Sequence, residues 1–451
     1  MGARVDPGMV AELTARENEA FVAARPKGAQ LWRRAGELMP NGVPMSWLRT
    51  SYEPVPMFVA GGEGSRFRDV DGHEYVDFNI ADMSMFTGYA PPAVVRAVST
   101  RVAAGSQFLL PSEDSLWVAE ELGRRYGLPM WQFTLSATGA NTEALRVARV
   151  LTGRDQVLFF DGHYHGHFDE SLVEQVDGRL QPEEEGLPAD VVNRTALIPF
   201  NDVDALADAL AGGRVAAVVT EPAMTNNVGL VMPDPGFHEQ LRHLTRVAGT
   251  VLVLDETHTQ VVGPGGLTRL WGLDPDIVTI GKSIAAGIPL GAYGMTPEVA
   301  ETLQRPLGRD DPRPAVATGG TLYGNPLSMA AAQAAMSEVL TDEAYARSQA
   351  LGTRLADGLE QAVATVELPW TVHRFWPRSG YSFTAAPPRN ASEARAALDV
   401  PLRRLMRVYL ANRGVWEAIV GAGPTCSVAA GPEDVDSYLT AFASLLTELT
   451  A

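Results

Sequence analysis

Lysine is almost missing from this chain of 451 residues. Of its 36 basic residues only Lys27 and Lys282 are lysines; the rest are arginines. Cysteine is scarcer still: Cys426 stands alone, so no intrachain disulfide can form and nothing suggests an oxidising compartment. Positive charge as a whole is short, with 54 acidic residues giving a formal net charge of -18. That balance argues against a nucleic-acid or anionic-membrane surface, which needs clustered Lys and Arg to neutralise phosphates. The opening stretch "MGARVDPGMVAELTARENEAF" lacks a long apolar core, so it reads as neither signal peptide nor membrane span. Asp6 at the sixth position removes the myristoylation reading of the Met-Gly start. A cytoplasmic location is the default expectation.

What is present is an ordinary globular composition. A hydrophobic content of 46% excludes a wholly disordered chain, and the length favours two packed domains over one core. Residues 9 to 38 carry helical periodicity, which "MPNGVPMSWLRTSYEPVP" breaks. "SRFRDVDGHEYVDF" alternates around Asp71-Gly72 and predicts a hairpin. From about Pro92, strand-length apolar runs alternate with helical ones: "QFTLS", "QVLFF", "VAAVVTEP", "TVLVLDE" and "DIVTIGK". This predicts an α/β domain with a mostly parallel sheet flanked by helices, whose binding crevice lies at the carboxyl ends of the strands. We expect an N-terminal segment 1–65 joining a small domain, a large α/β domain 66–327, and a C-terminal small α+β domain 328–451.

Several polar residues follow directly after these strands. The run "VLVLDETHT" delivers Asp255 and Glu256 to a strand end, where a carboxylate is either solvated or paired with a strong donor. The two should point to opposite sides, so one of them faces the crevice. Lys282, in "TIGKSIAAG", lies 27 residues further on, the length of one strand, helix and strand, so the two strand ends can be neighbours. A lysine amine can form a Schiff base with an aldehyde and an arginine cannot. In a chain that otherwise uses arginine, this position therefore calls for an amine. Ser136, Ala137 and Thr138 open a helix with small residues whose backbone N–H groups suit a phosphate, or simply an N-cap. In "FFDGHYHGH", His163, His165 and His167 alternate as metal ligands on a strand would, but Gly162 and Gly166 count against a strand, and no metal site is expected. Tyr164 between them offers a flat ring to stack on an aromatic cofactor. "ATGGTLYGNP" presents Thr318 and Thr321 in a second small-residue loop.

Taken together, "RDVDGHEYVDF", "SATGAN", "DGHYHGH", "EPAMTNNVG", "DETHT", "TIGKSIAAGIPLGAYG" and "GGTLYGNP" resemble the class III aminotransferases of fold type I, in the branch of glutamate-1-semialdehyde aminomutase and the β-amino-acid transaminases. The resemblance spans nearly the full chain. It implies a pyridoxal 5'-phosphate cofactor held by Lys282 as a Schiff base, with Asp255 on the pyridine nitrogen. It implies that Ser136, Ala137 and Thr138 cradle the phosphate, that Tyr164 stacks on the ring, and that Glu221 supports the pocket. Thr321 matches a residue that reaches the phosphate in the partner subunit, which implies a homodimer with shared sites.

The chain departs from the family pattern at Gly139, where a glutamate is usual, and at Thr257, where a valine is usual, with His258 following. Trp47 and Arg49, in "PMSWLRT", and Arg413, in "ANRGVW", are candidates for the substrate, the apolar loop suiting a bulky or aromatic group and the arginines a carboxylate. His258 is a further candidate there. The leading expectation is an aminotransferase moving an amino group between an amine or β-amino acid and a keto acceptor. An aminomutase of the glutamate-1-semialdehyde type is the alternative, and a cofactor-binding protein without turnover is a third.

Overall fold

A computed structural model describes residues 5–51, 54, 57–308, 310–417 and 422–450. Contacts divide the chain into two units: Met1–Pro91 with Ala346–Pro387 and Ala397–Ala451, and Pro92–Tyr345 with Pro388–Ala396.

The second unit is built on a seven-stranded sheet. In chain order its strands are β1 (Met130–Thr134), β2 (Gln156–Phe160), β3 (Thr195–Ile198), β4 (Val215–Thr220), β5 (Val251–Asp255), β6 (Ile277–Ile280) and β7 (Gly291–Met295). Their spatial order is β1-β7-β6-β5-β4-β2-β3, and only β7 runs against its neighbours. Every residue of β4, β5, β6 and β7 is buried, which is why these strands read as continuous apolar runs and not as alternating ones. Helix Ala137–Thr152 packs on the sheet through Ala140, Ala144, Leu145, Val147 and Ala148. Asp255 and Thr279 stand opposite each other in the parallel β5–β6 pair, so the two strand ends that carry the candidate residues are adjacent, as their spacing predicts.

The first unit holds a four-stranded sheet, Val59–Glu63, Arg66–Asp69, Glu74–Asp77 and Val415–Trp416, the last pairing parallel to Glu74–Asp77. The hairpin turns at Gly72, whose φ of +97 only glycine adopts freely. Its core gathers Val76, Phe78, Leu355, Leu405, Tyr438 and Phe442.

The boundaries differ from those read off the sequence. Strands Arg66–Asp69 and Glu74–Asp77 belong to the first unit because their sheet is completed by Val415–Trp416. Helix Pro326–Ala334, expected in the small domain, packs on helices Pro92–Ala103 and Glu113–Tyr126 of the second unit. Among the described residues no helix is long and apolar enough to cross a membrane.

Candidate active site

The site is centred on Asp255, at the end of β5 and 3% exposed. Its Oδ2 accepts from Asn141 Nδ2 at 2.8 Å and lies 2.9 Å from His165 Nδ1, while Oδ1 accepts from the Thr257 N–H at 3.0 Å. Burial pushes this carboxyl up, but the hydrogen bonds and attraction of His165, with those of Thr257 and Asn141, outweigh it and hold Asp255 below the ordinary aspartate range. The anion is therefore preserved inside the protein. Asn141 is itself fixed: Thr279 Oγ1 donates to its Oδ1 at 2.6 Å, and its amide also donates to the His165 carbonyl at 2.7 Å. Neither Asn141, His165 nor Thr279 was singled out from sequence for this role. The only signal was the alternation of His163, His165 and His167, which reads as neither a metal site nor a carboxylate partner. Among the described residues no group of three or more His, Cys, Asp or Glu could hold a metal ion.

Beside Asp255, helix Ala137–Thr152 begins with Ser136 as N-cap, its Oγ accepting from the Gly139 N–H at 3.2 Å. The first N–H groups of a helix have no acceptor within it and carry the positive end of its dipole. Three glycines let other segments close on this end. A Cβ on Gly281 would lie 2.9 Å from Ala137 N, one on Gly291 2.1 Å from Ser136 O, and one on Gly166 2.5 Å from Thr138 Oγ1. The cradle has anion-binding backbone drawn close by glycines, so it fits a phosphate.

Lys282 follows Gly281 just past the end of β6 and opens a short turn, Lys282–Ala285. It has φ +55, a left-handed conformation that costs an L-residue about 1–2 kcal/mol. Such a backbone persists only where its surroundings hold it.

The remaining candidates are placed as follows. Glu256 turns away from Asp255, as alternation predicts; its carboxylate accepts from Thr259 Oγ1 and from the N–H groups of Leu267 and Thr268, capping helix Gly266–Leu270. Burial raises its pKa. Glu221, 5% exposed, accepts from the Thr225 N–H at 3.2 Å and the Thr225 hydroxyl at 2.5 Å. Burial pushes it up to about 7 against the pull of Thr225 and His165. Thr257 and His258 are buried in the turn after β5, and Tyr164 is exposed. His163 stacks on Phe159 with centroids 4.4 Å apart, and burial, with His165 beside it, pushes it down to about 3. The Thr321 carbonyl, in an exposed loop, accepts from Gln107 Nε2 at 2.5 Å.

In the first unit Trp47 is exposed, and the Arg49 guanidinium lies 5.1 Å from the Trp32 ring. Arg413 pairs with Glu17 at 3.2 Å, donates to the Tyr409 carbonyl and lies over the Tyr409 ring. Its guanidinium is thus committed to structure, which removes the reason to assign it a substrate carboxylate.

The model of the class-III aminotransferases matches residues 48–374. This chain belongs to that family. It is 37% identical over 376 residues to a glutamate-1-semialdehyde 2,1-aminomutase of Anaeromyxobacter dehalogenans, covering 81% of this chain and 85% of the relative. A solved glutamate-1-semialdehyde aminomutase from Pseudomonas aeruginosa PAO1 superposes with a TM-score of 0.94 at 40% identity, covering 99% of both chains, and a lysine-to-alanine variant of it is a complex with PMP. A β-phenylalanine aminotransferase from Variovorax paradoxus superposes with a TM-score of 0.86 at 26% identity, covering 97% of both.

The protein is therefore an enzyme of the pyridoxal-phosphate fold type I class, and pyridoxal phosphate is its cofactor. The buried Asp255 anion and the glycine-lined helix end fit that group. The expectation of a transaminase as the leading activity is overturned: the curated relatives at 34–37% identity and the solved structure at 40% are aminomutases. The residues that identify the family serve both reactions, so motif matching alone favoured the wrong member.

Proposed function

We propose that this protein is an aminomutase of the glutamate-1-semialdehyde class, moving an amino group between neighbouring carbons of one substrate. The observation that carries the reading is the near-complete coverage and 40% identity shared with a solved aminomutase, against 26% for the β-phenylalanine aminotransferase.

Bound pyridoxal phosphate or its amine form supplies the carbon that carries the amino group and an electron sink for the deprotonated substrate carbon. The protein's own groups do the rest. The Lys282 amine would hold the cofactor aldehyde and, when free, would carry a proton between the reacting substrate carbon and the cofactor carbon that bears the amino group. Asp255 keeps the pyridine nitrogen protonated, so the ring can accept charge. Ser136, Ala137 and Thr138 hold the phosphate, Tyr164 covers the ring, Glu221 supports the pocket wall, and Thr257 lines it. Because donor and acceptor positions are both on the substrate, the reaction balances without a second amine or keto acid.

Trp47, Arg49 and His258 are the residues we propose for the substrate, with Arg49 taking a carboxylate. We also propose a homodimer in the cytoplasm in which Thr321 of each subunit serves the other's cofactor. Phe108, Leu109 and Leu110, exposed by 54%, 72% and 69%, support that reading, as a second copy would cover them.

The test is to supply glutamate-1-semialdehyde alone, with no keto acid or second amine. Product should form in an amount equal to substrate consumed, with no free keto product accumulating. Turnover that appears only when a keto acceptor is added would sink the reading.

A further inference from the structure

We infer that Gln260 is the positioning residue that fixes the Lys282 turn, through an amide that grips the residues on both sides of the lysine. The inference rests on the assignment of Lys282 proposed above. Gln260 is 3% exposed and lies in the short turn Thr259–Val262, five residues after Asp255. Its Nε2 donates to the Gly281 carbonyl at 2.9 Å, and its Oε1 accepts from Ser283 Oγ at 3.2 Å. The second Nε2 hydrogen goes to the Thr257 carbonyl at 2.8 Å. One side chain thus ties the residue before Lys282, the residue after it, and the carbonyl of Thr257, whose N–H binds Asp255.

The arrangement answers a need visible in the backbone. Lys282 and Ala286 both have left-handed φ, +55 and +51, without being glycine. Gly281 is itself pinned on its other side by close approach to Ala137. A lysine side chain leaves its backbone in the direction that φ and ψ dictate, so rotation of the Gly281 or Ser283 peptide would re-aim the amine. Both donors and the acceptor of the Gln260 amide are engaged, and a buried amide so satisfied is rigid. No hydrogen bond from Gln260 reaches the helix end or the Asp255 carboxylate. Its action is therefore on the direction of the amine, leaving phosphate binding and the ring nitrogen to others.

The test uses the cofactor-loaded enzyme and two variants. Gln260→Met keeps the length and volume of the side chain and removes all three hydrogen bonds; Ser283→Ala removes one of them without touching the turn after β5. The visible absorbance band of the Lys282–cofactor linkage is titrated with pH in the absence of substrate, and kcat and KM are measured separately. We expect the midpoint of the band to shift by at least half a pH unit in Gln260→Met and in the same direction, by less, in Ser283→Ala. We expect kcat to fall about tenfold or more in Gln260→Met with KM changed less than threefold, since substrate contacts are intact. Should Gln260→Met fail to fold, Ser283→Ala carries the test alone, and a titration and kcat identical to wild type overturn the proposal. Unchanged titration and kcat in a folded Gln260→Met overturn it too. A band that survives Lys282→Ala in the otherwise wild-type enzyme would instead remove the assignment of Lys282, and this proposal with it.

Discussion

His165 Nδ1 stands 2.9 Å from Asp255 Oδ2, and Asn141 Nδ2 donates to the same oxygen at 2.8 Å. Two donors from different elements, one from the loop after β2 and one from helix Ala137–Thr152, converge on a buried carboxylate and keep it anionic against its own desolvation. Removing the charge should therefore cost more than removing a donor. Asp255→Asn is expected to lower kcat by roughly 10²–10³-fold, the usual penalty for losing an electrostatic partner in a preorganised site. His165→Ala leaves Asn141 and the Thr257 N–H in place. A hydrogen bond to a charged group is worth about 1.5–3 kcal/mol, so its loss should cost roughly 10–150-fold. Steady-state kinetics on both variants decide the order; a His165→Ala enzyme slower than Asp255→Asn would contradict it.

The glycine at 281 makes a separate prediction because its φ of -164 is open to any residue, so only space is at issue. A Cβ there meets Ala137 N at 2.9 Å and Ala137 Cβ at 3.0 Å. Overpacking of this kind costs about 1–3 kcal/mol, and displacing the helix end would take it out of cofactor affinity. Gly281→Ala should weaken pyridoxal phosphate binding by roughly 5- to 150-fold, read by equilibrium dialysis. Gly212→Ala, at φ -71 with nothing within 4 Å, should bind as tightly as wild type.

Asp77 predicts how stability depends on pH. It is buried, and burial pushes it from 3.8 up to about 6, against hydrogen bonds from Tyr89 and from the N–H groups of Ile80, Asn79 and Ala81. The turn it caps is strained: Ile80, Ala81, Asp82 and Met83 all have positive φ. The folded state holds this proton more tightly than the unfolded chain does. Its contribution is thus full below about pH 4 and is lost as pH rises through about 6. A shift of about two units corresponds to about 3 kcal/mol. Relative to Asp77→Asn, which cannot ionise, the wild type should lose about that much stability between pH 4 and pH 8. Denaturant melts at both pH values would show a constant difference if the carboxyl titrates normally.

Much of the second unit was legible in the sequence because strands buried on both faces leave uninterrupted apolar runs, and a carboxylate or an amine at the end of such a run stands out. Asp255 and Lys282 were visible for that reason. Their supports were not. Asn141, His165, Thr279 and Gln260 are polar residues whose partners lie 21 to 138 positions away, and only the closed sheet decides what each meets. Unit boundaries were misplaced where a distant segment completes a layer, as Val415–Trp416 does for the N-terminal hairpin. The choice between transaminase and aminomutase was illegible in another sense: the chain resembles members of both kinds, and the difference lies in where the amino group ends.

The exposed apolar run Phe108–Leu110 is tied to the Thr321 loop through the Gln107 hydrogen bond to the Thr321 carbonyl. Leu322 beside it is 50% exposed. If two copies meet over this surface, each dimer buries three large side chains from both subunits, and a charge in its centre would be desolvated without a partner. Leu109→Asp should then dissociate the enzyme to monomers at micromolar concentration, read by sedimentation velocity. Because each subunit's Thr321 would no longer reach its partner's cofactor, activity should fall more than tenfold in parallel with dissociation and recover as protein concentration is raised. A variant that stays dimeric and active would show that the run faces solvent in the working enzyme.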